Sequence, residues 1–149
     1  MGLLDSGNEE PKSKLRRYII TGVAFALLLT WGVWHLVRFY PEKHAAERFF
    51  DTLVAGDTQL AYQLWKPSGS YKFQDFLDDW GATGYYGPVK SYHIESIQAP
   101  PRGGSGVIVV VEISPFQPFP ADNDAAKNRR TKEVRIWVET KDKSLGFPP

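Results

Sequence analysis

From Tyr18 to Val37 the chain reads YIITGVAFALLLTWGVWHLV, with no Asp, Glu, Lys or Arg until Arg38. A helix rising 1.5 Å per residue would carry Ile19–Val37 across roughly 28 Å, close to the ~30 Å hydrocarbon layer of a bilayer. Tyr18 at one end and Trp31, Trp34, Phe39 and Tyr40 at the other are placed like the aromatic belts of a membrane span. We therefore expect a transmembrane helix over 18–40, with the lipid bilayer as the chain's first partner. The competing reading is a cleaved export signal. Its apolar core would run about 7–15 residues and end at a small-x-small site. Here the candidate site near Ala45-Ala46 puts His44 where a small residue belongs.

Orientation follows the cationic residues beside the span. Lys12, Lys14, Arg16 and Arg17 crowd the N-terminal flank, against Arg38, Lys43 and Arg48 on the other side. The bias predicts a cytoplasmic N-terminus and an exported C-terminal domain, periplasmic or extracellular. Residues 1–17 are polar and aperiodic and read as a disordered tail. Met1-Gly2 followed by Ser6 resembles a myristoylation signal, which an adjacent membrane helix would make redundant.

The rest of a 149-residue chain suffices for one ordinary domain. A net charge of +1 gives nucleic-acid binding no support. With 0 Cys, disulfides, thiolate metal sites and a cysteine nucleophile are excluded.

Residues 41–149 begin in helical periodicity. Ala45, Ala46, Phe49, Phe50, Leu53 and Val54 share one stripe, Gly56 is placed to cap its C-terminus, and Asp57 to cap the next helix. Leu60, Ala61, Leu64 and Trp65 form a second apolar face that Pro67 ends. After Ser68-Gly69-Ser70, a third helix over 71–80 aligns Phe73, Phe76, Leu77 and Trp80, with Asp75, Asp78 and Asp79 mostly opposite. Beyond Gly87-Pro88 the period changes to that of strands: 89–98, then 107–114, then 131–141, with LGFPP left for an edge. Prolines 115, 118 and 120 interrupt pairing, and 121–130 is a polar excursion. Helices followed by antiparallel strands define an α+β layer fold.

AERFFDTLVAGDTQLAYQLWKP, FQDFLDDWG, GPVKSYHIESI and VIVVVEIS together resemble the nuclear transport factor two-like superfamily, also called cystatin-like or SnoaL-like. The resemblance covers Ala46 to Lys141. It implies helices wrapped by a curved antiparallel sheet into a cone. The short terminal strand and the proline-rich insert between Pro115 and Arg130 depart from the family pattern. That superfamily hosts isomerases, dehydratases and cyclases as well as non-catalytic assembly modules.

A ligand in such a cone would meet Trp65, Phe76, Trp80, Tyr85, Tyr86 and His93. His93 shares simple strand parity with Val89 and Ile97, so it is the candidate general base, with Asp78 or Asp79 to set its tautomer. The bland reading is a surface histidine. Asp51, Asp57, Asp75, Asp78 and Asp79 sit at helical spacing without the turn that hard cations require, so no metal site is expected. His35 in the membrane helix is a conceivable haem ligand, but near an interface it reaches water at little cost. No cofactor is expected. Gly22, Ala26 and Gly32 would let a second membrane helix approach closely. Gly103-Gly104-Ser105-Gly106 precedes a strand, not a helix, and is not a phosphate loop. Lys127, Arg129, Arg130 and Lys132 form a basic cluster open to an acidic partner or a solubilising role.

These features favour a membrane-anchored, non-enzymatic accessory or assembly module that binds a partner protein or small apolar ligand. The alternatives are an isomerase- or cyclase-type enzyme using His93 and an Asp, and a minor subunit of a larger membrane complex.

Overall fold

The computed structural model describes residues 10–66, 69–123 and 127–149. The tail before Glu10, with its Met1-Gly2…Ser6 pattern, lies outside them, as do the Pro67-Ser68 helix stop and residues 124–126 of the polar excursion. The chain divides into two compact units, Met1–Arg38 and Phe39–Pro149.

The first unit is one helix, α1, Glu10–Val37. It begins eight residues ahead of Tyr18, inside the stretch whose polarity suggests an irregular tail. Pro11 is tolerated there because a first-turn N–H donor has no intrahelical carbonyl to bond, so its absence in proline costs nothing. Beyond it nothing up to Tyr18 breaks a helix already propagated by the apolar run. An 18-residue window of mean hydropathy 1.8, with none of it buried, makes this one helix long and apolar enough to cross a membrane. Its Thr30 hydroxyl donates to the Ala26 carbonyl at 2.8 Å, so the side chain leaves no unpaired donor on an apolar surface.

The second unit is α+β. Three helices come first: α2 Tyr40–Ala55, α3 Thr58–Trp65 and α4 Phe73–Trp80. Gly56 takes φ +79°, a left-handed conformation natural to glycine, and its N–H and that of Asp57 cap α2 by donating to Leu53 and Thr52 carbonyls. The Asp57 carboxylate then accepts from the Leu60 N–H at 3.0 Å and starts α3. Asp75 accepts from the Lys72 N–H at 2.7 Å and starts α4.

Four antiparallel strands follow: β1 Ser91–Gln98, β2 Gly106–Ser114, β3 Lys132–Glu139 and β4 Leu145–Gly146, in spatial order β1-β2-β3-β4. A single helical turn, α5 Lys127–Arg130, precedes β3. One face of this open sheet is apolar. Val107, Val109, Val111 and Ile113 of β2 are flanked by Val134, Ile136 and Val138 of β3, all buried beneath the helices. Phe49 and Phe50 of α2 are the pivot of that layer, each with 0% of its surface exposed. Phe49 lies 5.1 Å from the Trp65 ring and 5.2 Å from that of Trp80, edge-on to the latter.

The opposite face carries the proline-rich insert. Glu112 of β2 pairs with Lys127 at 2.9 Å, and Lys127 reaches Asp122 at 2.7 Å. Phe119 lies against His93, and Pro120 is buried. The insert that departs from the family pattern is thus a cover for the outer sheet face.

Candidate functional site

Of the six residues placed around a ligand, Trp65, Phe76 and Trp80 are buried in one aromatic cluster. Tyr86 stacks on Trp80 at 4.8 Å, and Tyr85 stands edge-on to Tyr86 but is 69% exposed. The cluster is occupied by the chain itself. Phe147, just after β4, lies parallel to Trp80 at 6.1 Å and 5.1 Å from Trp65, closing the space between α3, α4 and the sheet. The buried Trp80 Nε1 has no hydrogen-bond partner there. These rings form a core rather than a cavity wall.

His93 is not among them. On β1, Tyr92, Ile94 and Ile97 pack on the core side, opposite Ile113, Val111 and Val109. The register slips between Ile94 and Ser96, so Glu95 is an extra residue. That bulge restores Ile97 to the core face but leaves His93 on the other one, exposed and across from Glu112. Counting parity from Ile97 therefore misplaces it. Asp78 and Asp79 serve the helical layer. Asp78 accepts from the Gln74 amide at 3.0 Å, and Asp79 from the Tyr71 hydroxyl at 2.5 Å. The structure does not bring His93 and either aspartate to one site.

Three tyrosines have altered titration: burial, with Tyr85 and Asp79 close by, raises Tyr86, and two others are tied to carboxylates. Burial, reinforced by the bond to Asp79, pushes the Tyr71 phenol well above its ordinary value. Burial and a 2.7 Å bond to Asp51 do the same for Tyr92, whose ring stacks on Phe50. Both hydroxyls tie a helix end or face to its neighbour. Both therefore read as structural ties.

What the unit does expose is an edge. β4 pairs only with Trp137 and Val138, so among the described residues no strand continues along Lys132–Ile136 on that side of β3. The Glu139 N–H donates to the Ser144 carbonyl on the β4 side. By alternation, the Trp137, Arg135 and Glu133 backbone groups face that side too, the last two without a strand to meet them. Beside the start of this edge, Lys132 lies over the Tyr85 ring at 4.2 Å and donates to the Tyr85 carbonyl at 2.6 Å. Arg129 and Arg130 line the adjoining cleft of about 190 Å³ with Tyr86 and Pro88. Arg129, Arg130 and Lys132 of the basic cluster are thus gathered beside Tyr85 and Tyr86, whereas Lys127 turns to Glu112 and Asp122.

In the first unit, His35 lies 5.5 Å from the Trp31 ring, and an added Cβ at Gly22 or Gly32 would meet nothing within 4 Å. Among the described residues no group of three or more His, Asp or Glu side chains is arranged to hold a metal ion. Comparison with protein families, with curated proteins and with solved structures finds no match for this chain.

Proposed function

We propose that this chain is a membrane-tethered, non-enzymatic accessory module whose cone-like, nuclear transport factor two-like head binds a partner protein on the exported side of the membrane. The observation that carries the reading is the unfinished edge of β3, flanked by Tyr85, Arg129 and Lys132. An extended segment of a partner added there would satisfy the outward backbone groups, and the cationic flank would favour an acidic one. The apolar surface of α1 supports the tether, and the crowding of Lys12, Lys14, Arg16 and Arg17 at its start supports the orientation. The enzyme reading loses its main support because the aromatic interior is filled and His93, whose acidic neighbours are Glu112 and Asp122, lies on the other sheet face from Asp78 and Asp79. A small apolar ligand remains a second reading, favoured by a cleft of about 240 Å³ between Pro100, Ile108 and Trp137.

The test uses the full chain, purified from detergent-solubilised native membranes. A stoichiometric partner should accompany the wild type and be lost from Arg135→Pro, which removes an outward N–H without touching the core face. Recovery of the wild type as a lone, monodisperse monomer would sink the proposal, and with it the idea of a minor subunit of a larger complex.

A further inference from the structure

A groove away from both the aromatic core and the β3 edge gathers the head's costliest backbone conformations. It holds about 260 Å³ between α2, the end of α3 and the β3–β4 turn. Ala45, Leu64 and Leu145 supply apolar wall, and Arg48, Lys66 and Lys143 supply positive charge. Lys66 at φ +47° and Lys143 at φ +56° are the non-glycine residues with positive φ among those described. Glycine would take either conformation without the steric penalty. Two lysines held in left-handed backbone at the rim of one groove indicate that their side chains are needed there.

Both ammonium groups are held in place. Lys143 Nζ reaches Glu42 Oε1 at 2.7 Å and also the Thr140 carbonyl. Glu42 is only 3% exposed, and its second oxygen is buried without a hydrogen-bond partner. Burying a carboxylate is costly, and here it anchors Lys143. Lys66 Nζ donates to the Asp142 carbonyl. The Asp142 carboxylate accepts from the Ser144 N–H and hydroxyl at 2.9 and 2.7 Å. Arg48 is exposed on α2, and among the described residues no hydrogen bond or ion pair engages its guanidinium. A free fork thus stands beside two positioned ammonium groups over an apolar wall.

We propose that this groove binds an anionic amphiphile, a phosphate or carboxylate head carried on an alkyl chain. Arg48 takes the head bidentately, Lys66 and Lys143 add charge, and the chain lies along Ala45, Leu64 and Leu145. A free inorganic anion has no use for the apolar wall, and an uncharged apolar ligand has none for three cations. The site is independent of partner binding at the β3 edge.

The full chain in dodecyl maltoside micelles, titrated calorimetrically with decyl phosphate, tests this. Saturable one-to-one binding is expected, weakened at least about tenfold by Arg48→Gln, the scale of one charge-assisted hydrogen bond. Lys66→Gly should also weaken binding, while its melting temperature does not fall because the left-handed strain is relieved. Equal binding by wild type and Arg48→Gln would overturn the proposal, since it would reflect micelle partitioning alone. So would inorganic phosphate or decanol binding as tightly as decyl phosphate. In nanodiscs of phosphatidylcholine with and without phosphatidylglycerol, competition by the anionic lipid would identify a lipid headgroup as the source. Undiminished binding of decyl phosphate would identify a soluble amphiphile.

Discussion

α1 and α2 are both rich in apolar residues, yet they face opposite environments. In α1, Leu27, Leu28 and Leu29 follow one another at 100° steps, so apolar surface encircles the helix, and all three are more than half exposed. In α2, Ala46, Phe49, Phe50 and Leu53 fall on one stripe and are buried, while Lys43, Arg48 and Asp51 face water. Beyond the number of apolar residues, their angular spread separates the two helices. A stripe can be satisfied by one sheet, whereas a fully apolar cylinder needs apolar surroundings on every side.

The sharpest way to break this contrast is to remove a ring from the stripe. Phe49→Ala should lower the head's unfolding free energy by about 3–5 kcal/mol, the usual cost of emptying an aromatic core site. A loss of less than a fifth of that in urea-unfolding free energy would mean the ring is not a pivot. Next in size is Leu28→Arg. A charge at the centre of α1 should make membrane insertion roughly 3 kcal/mol less favourable, without moving the head's melting transition. Alkaline-carbonate extraction of membranes reads the first effect; full retention in the pellet would count against α1 as a span.

The smallest effect concerns the ties between the helices and their neighbours. Tyr71 and Tyr92 have folded-state pKa values raised above the ordinary tyrosine value of about 10. A raised pKa contributes stability that is whole below the unfolded value and lost as pH climbs past it towards the folded one. The head should therefore hold a constant urea midpoint from neutrality to about pH 10 and soften above it. The double variant Tyr71→Phe/Tyr92→Phe should lose about 1 kcal/mol per hydroxyl at neutral pH and show a flatter alkaline limb. An unchanged limb would detach these phenols from the alkaline transition.

Much of the helical layer was readable from residue order. Gly56 and Asp57 punctuate α2 and α3 as their chemistry requires, and the alternation of Val134, Ile136 and Val138 survives intact in β3. The edge strand came out shorter than LGFPP allows, because only Leu145 and Gly146 pair. The candidate site was less legible. Trp65, Phe76 and Trp80 lie together in one cluster, but a list of aromatic residues does not tell a ligand cage from a packed core. Phe147 decides that, from 67 positions beyond Trp80 in the chain (147 − 80). Lys66 and Lys143 gave one faint signal: lysine stands directly after Trp65, where a helix end commonly has glycine.

Periodicity and turn chemistry are local, so they determined which segments are helix, which are strand and which helix is apolar all round. Whether His93 joins Asp78 or Asp79 depends on one extra residue, Glu95, whose effect exists only when β1 is paired with β2. Side-chain direction in a strand is set relative to a partner, and burial relative to everything packed above it. Those relations were decided by tertiary structure, because no window of neighbouring residues contains them.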